Sequence, residues 1–218
     1  MRNYVGPETV IISVMNGIDS EEQVGAVYGR DKVLYCVSLG VDALREGNRV
    51  IYTAQGTLFF GEAVNPAPTA RVKLLQELFA RASIAYETPP DMKRVLWKKF
   101  MINAGINQAS AVLGVTYGIF QTSEEARNLM ESAMREVMGL AQKAGVHLTE
   151  DDIRGFDPIL ARLNPQGKTS MLQDVEAGRK TEVEMFAGRV IALGKLYNIP
   201  VPVNQMLFDR IKAIESKK

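Results

Sequence analysis

The chain has 218 residues, 46% of them hydrophobic and 23% charged, with a formal net charge of +1. That length suits one large domain or two small ones, and a near-neutral balance offers no strong field to nucleic acid or an anionic membrane. A single cysteine, Cys36, excludes an internal disulfide framework and fits a reducing compartment, and one Cys with one His falls short of a zinc donor set. No stretch of about 18 apolar residues and no signal-peptide pattern is present, which predicts a cytoplasmic protein without a membrane span.

In chain order, residues 8–15 form a near-continuous apolar run rich in β-branched side chains, the pattern of a central parallel strand. It ends in Asn16-Gly17, a turn signal. Ser20-Glu-Glu-Gln23 matches a capping box and predicts a helix starting there. Residues 33–38, 50–53 and 57–60 read as short strands, with hairpin turns at 45–48 and 55–56. Cys36 reads as a small apolar filler. Helical periodicity through Val72, Leu75, Leu78 and Phe79 covers 69–82, and 84–87 is a last strand before Thr88-Pro-Pro90.

From Asp91 onward the pattern is helical. Asp91 is a predicted N-cap for a helix through residues 94–113. Ser123-Glu-Glu-Ala opens another, running to Lys143 and ending at Gly145, with His147 on the surface beyond it. Residues 151–163 form a short helix interrupted at Pro158. Ser170-Met-Leu-Gln173 is a third capping box, with Ser170 as cap, and opens a long helix to about Tyr197. Residues 198–202 break it, and 204–217 form a closing helix. The result is an α/β segment, 1–90, and an all-α segment, 91–218. A doubly wound domain needs a first βαβαβ half bearing a glycine-rich phosphate turn. No two glycines here are separated by a single residue, so no Gly-x-Gly-x-x-Gly exists. The chain therefore reads as truncated at its start.

Lys99, Asn103 and Asn107 stand four apart in an otherwise apolar segment, so on a helix they share one slowly drifting face. An ammonium and two amides in a buried helix need partners, and a substrate cleft supplies them. There Lys99 can act as general acid toward a developing alkoxide, while the amides orient hydroxyl and carbonyl oxygens; a surface lysine and interhelical hydrogen bonds are the plainer alternatives. On one continuous helix, Glu182 would share an apolar stripe with Val175, Phe186 and Leu193, either as a site carboxylate or paired with Arg179 or Arg189. Ser170 could also meet a substrate carboxylate. Asn16 stands at the carboxyl end of a strand, where α/β proteins gather ligands.

Together these motifs resemble the ketopantoate reductase (2-dehydropantoate 2-reductase) family. Met15-Asn-Gly-Ile18 is similar to its Asn-Gly turn, Trp97-Lys-Lys-Phe-Met-Ile-Asn-Ala-Gly-Ile-Asn107 to its Lys/Asn/Asn helix, Thr169–Asp174 with Lys180-Thr-Glu182 to its Ser…Glu segment, and 199–204 to its closing proline turn. The resemblance implies a partial Rossmann-type domain (the C-terminal half, with a mixed sheet) followed by an all-α domain of the 6-phosphogluconate dehydrogenase C-terminal-like type. It implies hydride transfer from NADPH to 2-dehydropantoate, giving (R)-pantoate for coenzyme A biosynthesis, in a cleft between the segments. Lys99 would be catalytic, Asn103, Asn107 and Ser170 would bind substrate, and Asn16 and Glu182 would contact cofactor. A homodimer is expected from the surface that a missing half would uncover. Some members carry Asn where Tyr117 and Gly167 stand here, which leaves other 2-keto acids open as substrates. The competing class is a non-catalytic helical dimerisation or ligand-binding remnant, favoured by the absent glycine turn; without that turn this chain by itself is expected to bind NADPH weakly or not at all.

Overall fold

The computed structural model describes residues 2–217 and divides the chain into two compact units, Met1–Trp97 and Lys98–Lys218. In the first, strand β1 (Ile11–Ile12) lies parallel to β2 (Val33–Glu46), β2 runs antiparallel to β3 (Arg49–Gly61), and β3 lies parallel to β4 (Tyr86–Glu87). The sheet order is β1-β2-β3-β4. Parallel neighbours cannot be joined by a tight turn. Helix α1 (Ser20–Tyr28) makes the first crossover and α2 (Ala70–Arg81) the second. Leu34, Cys36, Phe60, Val72 and Phe79 form the core of this unit. Phe60 sets its ring against Phe79 at 5.1 Å and Tyr86 at 5.8 Å, both edge-on, an arrangement aromatic quadrupoles favour. Glu62 grips Arg71 through both carboxylate oxygens and takes the Thr69 hydroxyl at 2.9 Å, which pins the start of α2.

Three sequence expectations change here. Of the run 8–15, only Ile11 and Ile12 enter the ladder, and β1 closes one side of the sheet among the described residues rather than lying centrally. Asp19 holds the N-cap position of α1, and Ser20 is its first helical residue, donating its hydroxyl to Glu21 Oε2 at 3.0 Å. The three short strands predicted over 33–60 are one long two-stranded ribbon, paired from Tyr35↔Gly61 to Glu46↔Arg49 and reversing at the predicted turn 45–48. Gln55-Gly56 lies inside it. Gly40 (φ 71°) and Gly56 (φ 72°) take left-handed backbone on facing strands, beside a register shift at Asp42/Ala43. Glycine signals a backbone bend, and here the bend is a kink within the pair instead of a reversal.

Helix α3 (Met92–Leu113) begins in the first unit and runs on into the second; its N-cap is Asp91, as predicted: Asp91 Oδ1 accepts the Arg94 N–H at 2.8 Å. Leu96, Trp97, Phe100, Met101, Ala104, Ile106, Ala109 and Ala111 are all buried, so α3 is apolar almost all round. A short α4 (Tyr117–Thr122) precedes α5 (Glu124–Lys143), capped by the Ser123 hydroxyl, which accepts the Ala126 N–H. Gly105 lets α3 and α5 approach: a Cβ there would stand 2.6 Å from Met134 Cγ and 2.9 Å from the Met130 carbonyl. The predicted helix 151–163 is two, α6 (Glu150–Arg154) and α7 (Asp157–Leu160). Pro158 begins the second rather than interrupting the first, in the first turn where its missing N–H is not needed.

The long helix predicted over 170–197 is not continuous. It ends as α8 (Ser170–Glu176), turns at Gly178 (φ 68°), and resumes as a π turn, Glu184–Gly188, leading into α9 (Arg189–Tyr197). Asn198 closes α9 in left-handed backbone, and α10 (Pro202–Glu215) completes the unit. No helix among the described residues is long and apolar enough to cross a membrane.

Candidate active site

On α3, Lys99 and Asn103 are half-buried and Asn107 is buried, at 7% exposure. The period of 3.6 keeps the three on one face. The adjacent Lys98 has a different environment. Its Nζ lies 3.2 Å from Oδ1 of the buried Asp152, whose Oδ2 accepts the Thr149 N–H at the start of α6. Lys98 thus anchors α6 to α3. An ammonium followed by two amides along one face can give a proton and hydrogen-bond to carbonyl or hydroxyl oxygens.

Ser170 is exposed and is the first helical residue of α8, not its cap. Thr169 is the cap, with the extended backbone that position needs, and its Oγ1 accepts the Leu172 N–H at 3.2 Å. The buried Thr169 hydroxyl donates to Ser110 Oγ on α3 at 3.2 Å, so the chain entering α8 is fastened to α3 and the Ser170 hydroxyl is left outside. The same entry is tied to α4: Tyr117 N–H donates to the Gly167 carbonyl at 3.0 Å and Gly118 N–H to the Pro165 carbonyl at 2.9 Å. A Cβ on Gly167 would stand 3.0 Å from Tyr117 Cδ2. The Tyr117 ring therefore crowds the space a side chain at 167 would enter, and the two departures noted in the sequence are one spatial feature.

Glu182 is half-buried in the non-helical stretch before the π turn, so it does not share a continuous helical stripe with Val175 and Leu193. Its carbonyl accepts the Met185 N–H at 2.9 Å and the Phe186 N–H at 3.1 Å. Phe186 packs against Phe100 of α3 with centroids 6.3 Å apart, one residue from Lys99. Arg179, a candidate partner for Glu182, is bound to Asp174 at 2.8 Å. Sequence reasoning passed over Gln108, next to Asn107 and wholly buried; its signal was one more amide in the apolar run of α3.

In the first unit, Asn16 comes after β1 and is half-buried, with Gly17 at φ 90°. An amide at the carboxyl end of a parallel strand suits the polar end of a nicotinamide. The pyrophosphate of such a cofactor does not fit the start of the next helix: α1 opens on Asp19, Glu21 and Glu22, and carboxylates at a helix N-terminus oppose a bound phosphate. Cys36 is buried and His147 exposed. Among the described residues, no group of three or more His, Cys, Asp or Glu side chains could hold a metal ion.

Residues 91–215 match the model of the ketopantoate reductase PanE/ApbA C-terminal region, and residues 1–65 match that of ketopantoate reductase PanE/ApbA. The chain belongs to the ketopantoate reductase family. A 2-dehydropantoate 2-reductase of Archaeoglobus fulgidus is 27% identical over 207 residues, covering 95% of this chain and 68% of that protein. The crystal structure of 2-dehydropantoate 2-reductase from Geobacter metallireducens superposes with a TM-score of 0.87 at 25% identity, over 97% of this chain and 70% of that one. A D-mandelate dehydrogenase solved with NADH gives a TM-score of 0.90 at 17% identity, over 99% of this chain and 73% of that one, a likeness of fold. The ketopantoate reductase fold is thus shared with a dehydrogenase that holds a nicotinamide cofactor.

Proposed function

We propose that the protein reduces the ketone of a 2-keto acid to the corresponding alcohol, with 2-dehydropantoate as substrate and (R)-pantoate as product, in the cytoplasm and on the route to pantothenate and coenzyme A. The observation that carries this reading is the Lys99–Asn103–Asn107 face on a buried helix, in a chain of the ketopantoate reductase family. NADPH, when bound, supplies the hydride. Lys99 gives its proton to the ketone oxygen as negative charge develops there. Asn103 and Asn107 hold the substrate's hydroxyl and carbonyl oxygens, and the exposed Ser170 hydroxyl meets its carboxylate. Asn16 and Glu182 serve the cofactor's nicotinamide and ribose end. The acidic start of α1 does not seat the cofactor's pyrophosphate. The exposed Val50, Ile51 and Tyr52 of the β2–β3 ribbon support a homodimer as the working form.

A second reading keeps the chemistry and changes the acid. The Tyr117 ring against Gly167 presents an aromatic surface and no amide at those positions, which suits a 2-keto acid with a larger apolar side chain. Both readings are tested by incubating the protein with millimolar NADPH and either 2-dehydropantoate or phenylglyoxylate, with products separated by chromatography. The first predicts pantoate and a higher kcat/KM for 2-dehydropantoate. A preference for phenylglyoxylate selects the second, and consumption of neither acid contradicts both.

A further inference from the structure

The π turn Glu184–Gly188 poses an accounting problem. In an α-helix the Ala187 N–H would bond to the Val183 carbonyl. Here that carbonyl accepts the Gly188 N–H instead, at 3.0 Å. A buried N–H without an acceptor is costly. The Ala187 N–H finds one outside the helix: Gln108 Oε1, at 3.0 Å. Gln108 is fully buried, and its Nε2 donates to the Ala104 carbonyl at 2.6 Å and to Asn204 Oδ1 at 3.1 Å. The reversed amide would set its NH2 against the Ala187 N–H, so the network fixes the orientation. Asn204 in turn donates to the Ala133 carbonyl at 3.2 Å and to Glu136 Oε2 at 2.7 Å. One buried chain of hydrogen bonds thus ties α3, α5 and α10 to the π turn.

The residue this turn places is Glu182. On its N-terminal side, Thr181 N–H and Oγ1 both donate to Glu215 Oε1 at 2.8 Å, and the Val183 N–H donates to Thr181 Oγ1 at 3.3 Å. On its C-terminal side stands the turn that Gln108 satisfies. The amide after Asn107 therefore reaches, through the core, the segment that carries Glu182.

We infer that Gln108 is a positioning residue: it holds the π turn Glu184–Gly188 against α3 and so fixes the backbone of Glu182 relative to the Lys99–Asn103–Asn107 face. The catalytic meaning of this rests on the function proposed above; the structural tie does not.

Amide hydrogen exchange of the intact chain reads the tie without any activity. In the wild type, Ala187 should exchange within about threefold of Leu140 in the α5 core. Gln108→Met, of similar length and without polar atoms, should speed exchange at Ala187 by about 10–100-fold while Leu140 changes less than about twofold. Gln108→Glu, held neutral by burial, restores an acceptor and should return Ala187 to within about threefold of wild type. Fast exchange at Ala187 in the wild type, no change in Gln108→Met, or equal acceleration at Ala187 and Leu140 overturns the inference. In kcat/KM for 2-dehydropantoate, Gln108→Met combined with Glu182→Gln should be no worse than Glu182→Gln alone, whereas effects that multiply would remove the route through Glu182. A wild-type chain without turnover contradicts the proposed function and leaves exchange at Ala187 to decide the inference.

Discussion

Adjacent lysines on α3 have separate surroundings. Lys98 is paired with the buried Asp152, and Lys99 continues the face of Asn103 and Asn107. The polar face was legible in the sequence because it obeys helical spacing. The partner of Lys98 was not, because Asp152 is far along the chain and only folding brings it near. Ser170 was misread as a cap for a related reason: Thr169 and Ser170 are both good capping residues, and backbone geometry alone selects the first. Glu21 shows what no pattern announces. It is 1% exposed, its Oε1 has no hydrogen-bond partner, and burial pushes its carboxyl above the usual range, opposed by its own N–H, the Ser20 hydroxyl, the Cys36 N–H and Arg30. A carboxyl that holds its proton more tightly folded than unfolded loses stability as pH rises past the unfolded value. Glu21→Gln should therefore melt higher than wild type at about pH 8 and equal to it at about pH 3, where both forms of the wild type are neutral. A lower melting temperature at the higher pH would mean that the carboxylate itself is needed.

At the scale of elements, composition marked where the backbone bends but not how. Gly47 and Gly56 were both read as turns. Gly47 makes the reversal between β2 and β3, while Gly56 lies mid-ribbon, opposite Gly40. Their surroundings predict different tolerance. A Cβ on Gly56 would stand 2.5 Å from the Leu39 carbonyl and 2.8 Å from Val41 N, whereas one on Gly47 meets nothing within 4 Å. Gly56→Ala should cost about 2–3 kcal/mol in urea unfolding, and Gly47→Ala about 1 kcal/mol, from its left-handed backbone alone. Equal costs would refute the ribbon as described. The segment 170–197 taught a parallel lesson. Its apolar spacing is helical throughout, yet Gly178, the Thr181–Glu215 contact and the π turn divide it. Those breaks depend on Glu215 and Gln108, residues outside the segment, so periodicity within it could not reveal them.

For the whole molecule, the order of an α/β part followed by helices was readable because strand and helix periods differ and Asp91 caps α3. Sheet order and register depend on which strands meet, which a single sequence does not specify. The family is given by matches across residues 1–65 and 91–215, and the chemistry proposed for the chain by the face those matches include. In the proposed reaction this face protonates the substrate ketone. The most direct measurement is kcat for NADPH-dependent reduction of 2-dehydropantoate in Lys99→Ala and Lys98→Ala proteins. Lys99→Ala should lower kcat by about 10²–10⁴-fold, the usual range for losing a general acid, and Lys98→Ala should change it within about threefold, since the partner of Lys98 is the structural Asp152. Unchanged turnover in Lys99→Ala, or equal losses in the two variants, would contradict Lys99 as the proton donor.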